Sequence, residues 1–215
     1  MRTIPREVNY DKASFVLSEE QKSVLVGTLL GDGGIRFRGN NCRLHVKHAL
    51  KQLSLVNFKR KIFENITSMD VSVFNQKVGE KEYSFAEFVT LTHPEFTTYY
   101  RMFYQSSKKI IPADIHKMLV SPLSFAVWFM DDGSADYAGA TLQTHCFSKI
   151  EVEKLINVIK TNFGIDATIK MNKGKWIIYF PKSNMSRLSS LLDKDILDEF
   201  RYKLIPYSVR KKLTP

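Results

Sequence analysis

The 215-residue chain carries 32 lysines and arginines against 22 aspartates and glutamates, a formal charge of +10, and 44% of its residues are hydrophobic. That apolar content supports a buried core and excludes a disordered chain, while the length falls between one large domain and two small fused ones. The excess charge points to a polyanionic partner, nucleic acid first and a membrane surface second, because Lys and Arg gain affinity by releasing counterions condensed on phosphates.

Two cysteines, Cys42 and Cys146, are too few for a disulfide framework or a cysteine zinc site. A reducing, intracellular compartment is therefore expected, and both cysteines read as strand residues. The amino terminus MRTIPREVNYDK has acidic residues and no hydrophobic segment, so neither a secretory signal nor a transit peptide is read there. No apolar run approaches the ~20 residues of a membrane-spanning helix, so no membrane partner is expected.

In chain order, Ser18 to Gln21 forms a capping-box pattern ahead of the apolar stretch VLVGTLLG, which predicts a helix from Ser18 to about Asp32. Asp32-Gly33-Gly34 should close it through a left-handed residue. Alternating character predicts strands over Ile35 to Arg38 and Arg43 to Lys47, and Leu53 to Ile66 reads as an amphipathic helix. Phe96, Tyr99, Tyr100, Phe103 and Tyr104 recur at helical spacing and belong to the core. The breaker-rich stretch from Tyr104 to Val120 separates two units: residues 1–104, a linker over 105–120, and residues 121–215.

The second unit repeats the first. Ser121 and Pro122 cap the helix LSFAVWFMDDGS. Strands follow over Thr141 to Phe147 and Ala167 to Met171, with MNKGKW as a hairpin turn and Ile150 to Phe163 as an amphipathic helix. Asp32 and Asp132 stand 100 positions apart, the spacing of a duplicated small domain. Each half reads helix, strands, helix, strands, helix.

Each apolar helix delivers an aspartate at its carboxyl end, where the helix macrodipole is already negative and disfavours an anion by a few tenths to ~1 kcal/mol. One Asp-Gly pair is ordinarily a turn signal behind a core helix. Two, each ending an uninterrupted apolar helix and each preceding a cationic strand, ask for something positive. If the helices pack side by side, as the spacing of Gly27 and Gly31 permits, the carboxylates also repel each other. A hard cation such as Mg²⁺ would neutralise both acids together with the terminal carbonyls of Gly31 and Asp131, and could activate water for phosphodiester hydrolysis. Asp131 is read as a carbonyl donor or a surface group, and not as the main ligand. His45, His48 and His145 lack metal-ligand spacing, which argues against zinc.

GTLLGDGGI and AVWFMDDGS resemble the two LAGLIDADG motifs of single-chain homing endonucleases, in the branch of the mitochondrial omega-intron endonuclease. KKIIP, PLSFAVWFMDDG, IEVEKL, IIYF and RYKL resemble segments of that branch in the same order, from about Ser18 to Leu204. The resemblance implies an α+β fold of tandem pseudo-twofold αββαββα repeats, with the motif helices at the domain interface and two curved antiparallel sheets forming a saddle over DNA. It implies Asp32 and Asp132 as metal-binding catalytic acids, and Lys109 and Lys203 as the basic residues near the scissile phosphates. The second motif departs from the first in carrying Val127 and Asp131 where the first has Gly27 and Gly31, which implies asymmetry between the two half-sites.

Arg36, Arg38, Arg43, His45 and Lys47 in the first half, with Gln143, His145, Lys170, Lys173 and Lys175 in the second, supply the side chains that read base edges and phosphates. The expected activity is hydrolysis of both strands of a long double-stranded DNA target by a monomer using Mg²⁺ or Mn²⁺, leaving short 3′ overhangs. Ca²⁺ should bind without supporting cleavage. The other readings are an intron RNA maturase and a non-catalytic DNA-binding regulator. An intron-encoded gene would place the protein in a mitochondrion or plastid, and otherwise it is cytoplasmic.

Overall fold

Ser18 caps the first helix as its sequence predicts. In the computed structural model, which describes residues 15–213, the Ser18 hydroxyl accepts from the Gln21 amide and the Gln21 side chain accepts from the Ser18 amide, both at 3.1 Å. The amino-terminal stretch read for a targeting signal lies outside the described residues. Contacts divide the chain into Met1–Arg101 and Met102–Pro215.

In the first unit, helix α1 (Glu19–Leu30) is followed by strands β1 (Gly34–Arg38) and β2 (Asn41–Ala49), helix α2 (Leu53–Ile62), strands β3 (Ser72–Val78) and β4 (Lys81–Val89), and helix α3 (Pro94–Phe103). The strands form one antiparallel sheet in the order β1-β2-β4-β3. Every residue from Val24 to Leu30 of α1 is buried, as a helix apolar on all sides must be. Along β2 the pleat buries Cys42, Leu44, Val46 and His48 on one face and leaves Arg43, His45 and Lys47 half-exposed on the other. Gln21 ties α1 to the end of α2 by donating to the Ile62 carbonyl and to Asn65 Oδ1, at 2.8 and 2.7 Å.

The second unit opens with the short hairpin of β5 (Tyr104–Gln105) and β6 (Lys108–Lys109), whose turn residues Ser106 and Ser107 both have positive φ. Helix α4 (Ile115–Met118) leads to α5 (Pro122–Asp132), capped by the Ser121 hydroxyl with Pro122 in the first turn. Strands β7 (Gly133–Ala135) and β8 (Ala140–Gln143), helix α6 (Lys149–Phe163), and strands β9 (Thr168–Asn172) and β10 (Lys175–Phe180) follow, before α7 (Met185–Leu192). Their sheet has the order β7-β8-β10-β9, the same as in the first unit. A 3-10 helix, Asp198–Leu204, and α8 (Tyr207–Leu213) complete the chain. Phe125 of α5 stacks on Phe163 of α6 at 5.2 Å and meets Phe180 of β10 at 6.0 Å, so aromatic rings fill this core. Each fully buried ring contributes about 1.5–3 kcal/mol. Both units thus have the expected αββαββα order.

Four local expectations are corrected. Neither motif helix closes through a left-handed residue. Gly31 has φ −93° and Gly133 has φ −71°, so the chain turns through Gly31 and Asp32 before β1, and leaves α5 extended straight into β7. The glycine after each aspartate is needed for close approach instead. A Cβ on Gly33 would lie 2.1 Å from Thr28 Cγ2, and one on Gly133 would lie 2.4 Å from the Phe129 carbonyl oxygen. The strand read over Thr141 to Phe147 ends at Gln143, because the Thr144 hydroxyl donates to the Trp176 carbonyl at 2.7 Å and the chain turns there. His145 and Cys146 consequently lie on a turn, not on a strand. The helix read to Ile66 stops at Ile62 and continues as a 3-10 turn over Glu64–Ile66.

Candidate functional site

Asp32 follows α1 with its side chain 52% exposed, and the Nδ1 atom of buried His48 lies 3.7 Å from its Oδ2. Hydrophobic α1 supplies the rigid support and β2 brings His48 back beside its end. In the other unit Asp132 is the last residue of α5 and is half-buried. Its neighbour Asp131 is buried, at 6% exposure, and is not the surface group its sequence suggests.

Lys203 connects to this helix end. Its ammonium, itself buried, donates to the Met130 carbonyl at 2.5 Å and to the Asp131 carbonyl at 3.3 Å. A cation on the last carbonyls of a helix opposes the negative end of the macrodipole, and so favours the acid at the same terminus. The basic residue picked out in RYKL is therefore held on helix carbonyls.

Lys109, half-buried on β6, and Asp132 both act on the Cys146 thiol. Cys146 is an exposed turn residue, yet desolvation of its sulfur pushes the thiol up, Lys109 pulls it down and Asp132 pushes it up, which places the three side chains in one neighbourhood of the second unit. At each helix end a carboxylate stands beside backbone carbonyls, and oxygen donors of this kind have the chemistry of ligands for a hard divalent cation.

The first sheet has a polar face set by register. Arg36 pairs with Arg43, Gly34 with His45, and Lys47 with Glu87, so Arg36, Arg38, Arg43, His45 and Lys47 share one face. The β3–β4 hairpin extends that face with Gln76, Tyr83 and Glu87, which sequence reasoning missed. Lys47 Nζ lies 2.5 Å from Gln76 Oε1 and 4.1 Å from the centre of the Phe85 ring. Ser72–Val78, SVFNQKV, gives no alternating signal, because its mostly exposed residues lack the apolar side that marks a half-buried strand.

In the second sheet Ile177 pairs with both Gln143 and Lys170, and Lys175 lies two residues along β10. These put Gln143, Lys170 and Lys175 on one face. Lys173, with φ 48°, and Gly174, with φ 74°, form the β9–β10 turn, so Lys173 stands at the hairpin tip. His145 is exposed but off the strand. Among the described residues the structure thus gathers the predicted side chains of each half on or beside one sheet.

A family model described as the LAGLIDADG DNA endonuclease family matches residues 22–188, from within α1 to within α7. The chain belongs to that family. It is 31% identical over 206 residues to "Probable intron-encoded endonuclease 1" of Wickerhamomyces canadensis, covering 92% of this chain and 89% of that protein. It is 26% identical over 200 residues to "Cytochrome b mRNA maturase bI2" of Saccharomyces cerevisiae, where it covers 86% of itself but only 47% of the relative. Among solved structures it matches the homing endonuclease I-WcaI bound to its DNA recognition sequence with TM-score 0.84 and 29% identity, over 91% of this chain and 90% of that one. I-DmoI in complex with DNA and Mn, at 13% identity and TM-score 0.54, shares the fold. The LAGLIDADG membership accounts for the duplicated αββαββα order and places the chain in a family of DNA endonucleases.

Proposed function

We propose that the protein hydrolyses both strands of a long double-stranded DNA target in a Mg²⁺- or Mn²⁺-dependent reaction, acting as a monomer and leaving short 3′ overhangs. The observation that carries this reading is the pair of buried, capped helices that each deliver an aspartate, Asp32 just after α1 and Asp132 as the last residue of α5, in a LAGLIDADG chain whose structural relative is a DNA-bound homing endonuclease. Asp32 with the Gly31 carbonyl, and Asp132 with the Asp131 carbonyl, would hold metal. The bound ion would supply neutralisation of the acids, an activated water and stabilisation of the leaving oxygen. Lys109 contributes positive charge to the phosphate as negative charge builds there. Lys203 offsets the helix terminus beside Asp132. Arg36, Arg38, Arg43, His45 and Lys47, with Gln143, His145, Lys170, Lys173 and Lys175, bind the duplex, the arginines and lysines suiting guanine acceptors and phosphates.

The test is a pair of conservative variants. Asp32→Asn and Asp132→Asn should each bind the target in Ca²⁺ as the parent does and fail to cleave it in Mg²⁺. Full cleavage by either variant removes that acid from the mechanism. A second reading, intron RNA binding in splicing, is favoured by the similarity to bI2 maturases, and retention of the host intron RNA on a filter without DNA cleavage would support it. The same relatives, with the intron-encoded endonuclease, support an organelle intron as the host gene.

A further inference from the structure

A sheet face that meets a polyanion should exclude carboxylates, yet Glu87 stands in the middle of the cationic face of the first unit. Its register on β4 puts it directly opposite Lys47 on β2 and opposite Ser72 on β3. The expected cross-strand ion pair is not what Lys47 forms, since its ammonium points to Gln76 and over the Phe74 and Phe85 rings. Glu87 instead binds along the diagonal, with Oε2 2.9 Å from His45 Nε2, and its side chain keeps 32% of its exposure. His45 is more enclosed, at 17%. The imidazole therefore occupies one carboxylate oxygen and fixes the group, while a carboxylate has capacity for further donors.

In the major groove, cytosine presents an N4 amino donor, thymine an O4 acceptor and guanine two acceptors. Adenine offers an N6 donor, but its N7 acceptor lies beside it and repels an anion. A carboxylate held among cations and turned to the groove is attracted by cytosine and opposed by every other base edge and by phosphate.

We propose that Glu87, anchored by His45, is a specificity determinant that selects cytosine at one position of the DNA target. This rests on the reading of the first sheet face as the DNA-binding surface. The pair adds little affinity, because a carboxylate near phosphates weakens binding to every sequence alike. Its contribution is discrimination at one base pair.

The experiment selects bound duplexes from a randomised library in Ca²⁺ with the full chain and with Glu87→Gln and Glu87→Asp, the melting temperature of each variant being checked first. The parent should require cytosine at one position by about tenfold or more over the other bases, the order expected for a base-edge contact. Glu87→Gln, which can donate as well as accept, should relax that single position and bind all sequences more tightly. Glu87→Asp keeps the charge and loses the reach, so it should relax the same position without the general gain. If both folded variants keep the parent's preferences everywhere, Glu87 does not read a base and the proposal falls while the DNA-binding face stands. Should the parent select no duplex at all, the DNA-binding reading fails with it.

Discussion

His48 Nδ1 lies 3.7 Å from Asp32 Oδ2, a buried imidazole on β2 set beside a half-exposed carboxylate at the end of α1. A side chain with 1% exposure cannot wander, so it limits where the acid can point. Replacing His48 by Phe should keep the fold and slow cleavage about 10-fold to 100-fold, the usual effect of losing a group that orients a metal-binding acid. Cleavage rates measured across a Mg²⁺ titration should show a higher metal requirement. An unchanged Mg²⁺ dependence would reduce His48 to a packing residue.

Cys146 offers a reporter of Asp132 that needs no activity. Its thiol is raised by desolvation of the sulfur and by Asp132 and lowered by Lys109, and Cys42 is fully buried and should not compete for reagent. Asp132→Asn should therefore lower the thiol's pKa and speed alkylation by iodoacetamide near neutral pH, while Lys109→Met should slow it. Mg²⁺ bound at Asp132 should speed the parent and not the Asn variant. Identical rates in all three proteins would mean that the thiol does not sense these groups.

Acid stability of the second unit should depend on Glu151. Burial alone would raise this carboxyl, but hydrogen bonds from the Ser148 hydroxyl, the Ser148 amide and the Ile111 amide, with Lys154 nearby, outweigh it and hold the pKa below the ordinary 4.5. A depressed folded-state pKa means stability that is fully present above the ordinary value and lost as pH falls through the folded one. Glu151→Gln should cost about 1–3 kcal/mol near pH 7, where it weakens charge-assisted bonds, and progressively less below pH 4.5. Denaturant midpoints measured from pH 7 to pH 3 should converge for the two proteins. Parallel curves would contradict the assignment.

Gly133→Ala should destabilise the protein more than Gly33→Ala. The new methyl at 133 meets a backbone carbonyl and the Phe129 ring, whereas at 33 it first meets the methyl end of Thr28. Overpacking of this kind costs about 1–3 kcal/mol. Adding Thr28→Ser to Gly33→Ala should restore part of the loss, and thermal melts of the single and double variants would show it.

The motif helices were legible because three independent signals coincide at each: a serine cap, an unbroken apolar run and a terminal Asp-Gly. The reason for the glycine was not, since its requirement comes from residues 28 and 129 touching the outgoing chain. The two α-helices on the sheets followed from their apolar spacing. The end of β8 did not, because a single threonine bond to Trp176, 32 residues away, decides it. Arg36, Arg43 and Lys170 were found on sheet faces from simple alternation, while Glu87 and Gln76 were missed because the outer hairpin buries little and carries charge on both sides. Lys203 was picked out by resemblance alone, and its hold on α5 has no local signature.

That hold has a consequence for a chain emerging from the ribosome. The two bonds from Lys203 close over 72 and 73 residues, so the motif helix of the second unit is translated long before the lysine that secures its end. Until translation reaches the RYKL segment, the nascent polypeptide carries Asp32 and Asp132 without that lysine, and the last carbonyls of α5 must be satisfied by water in its place.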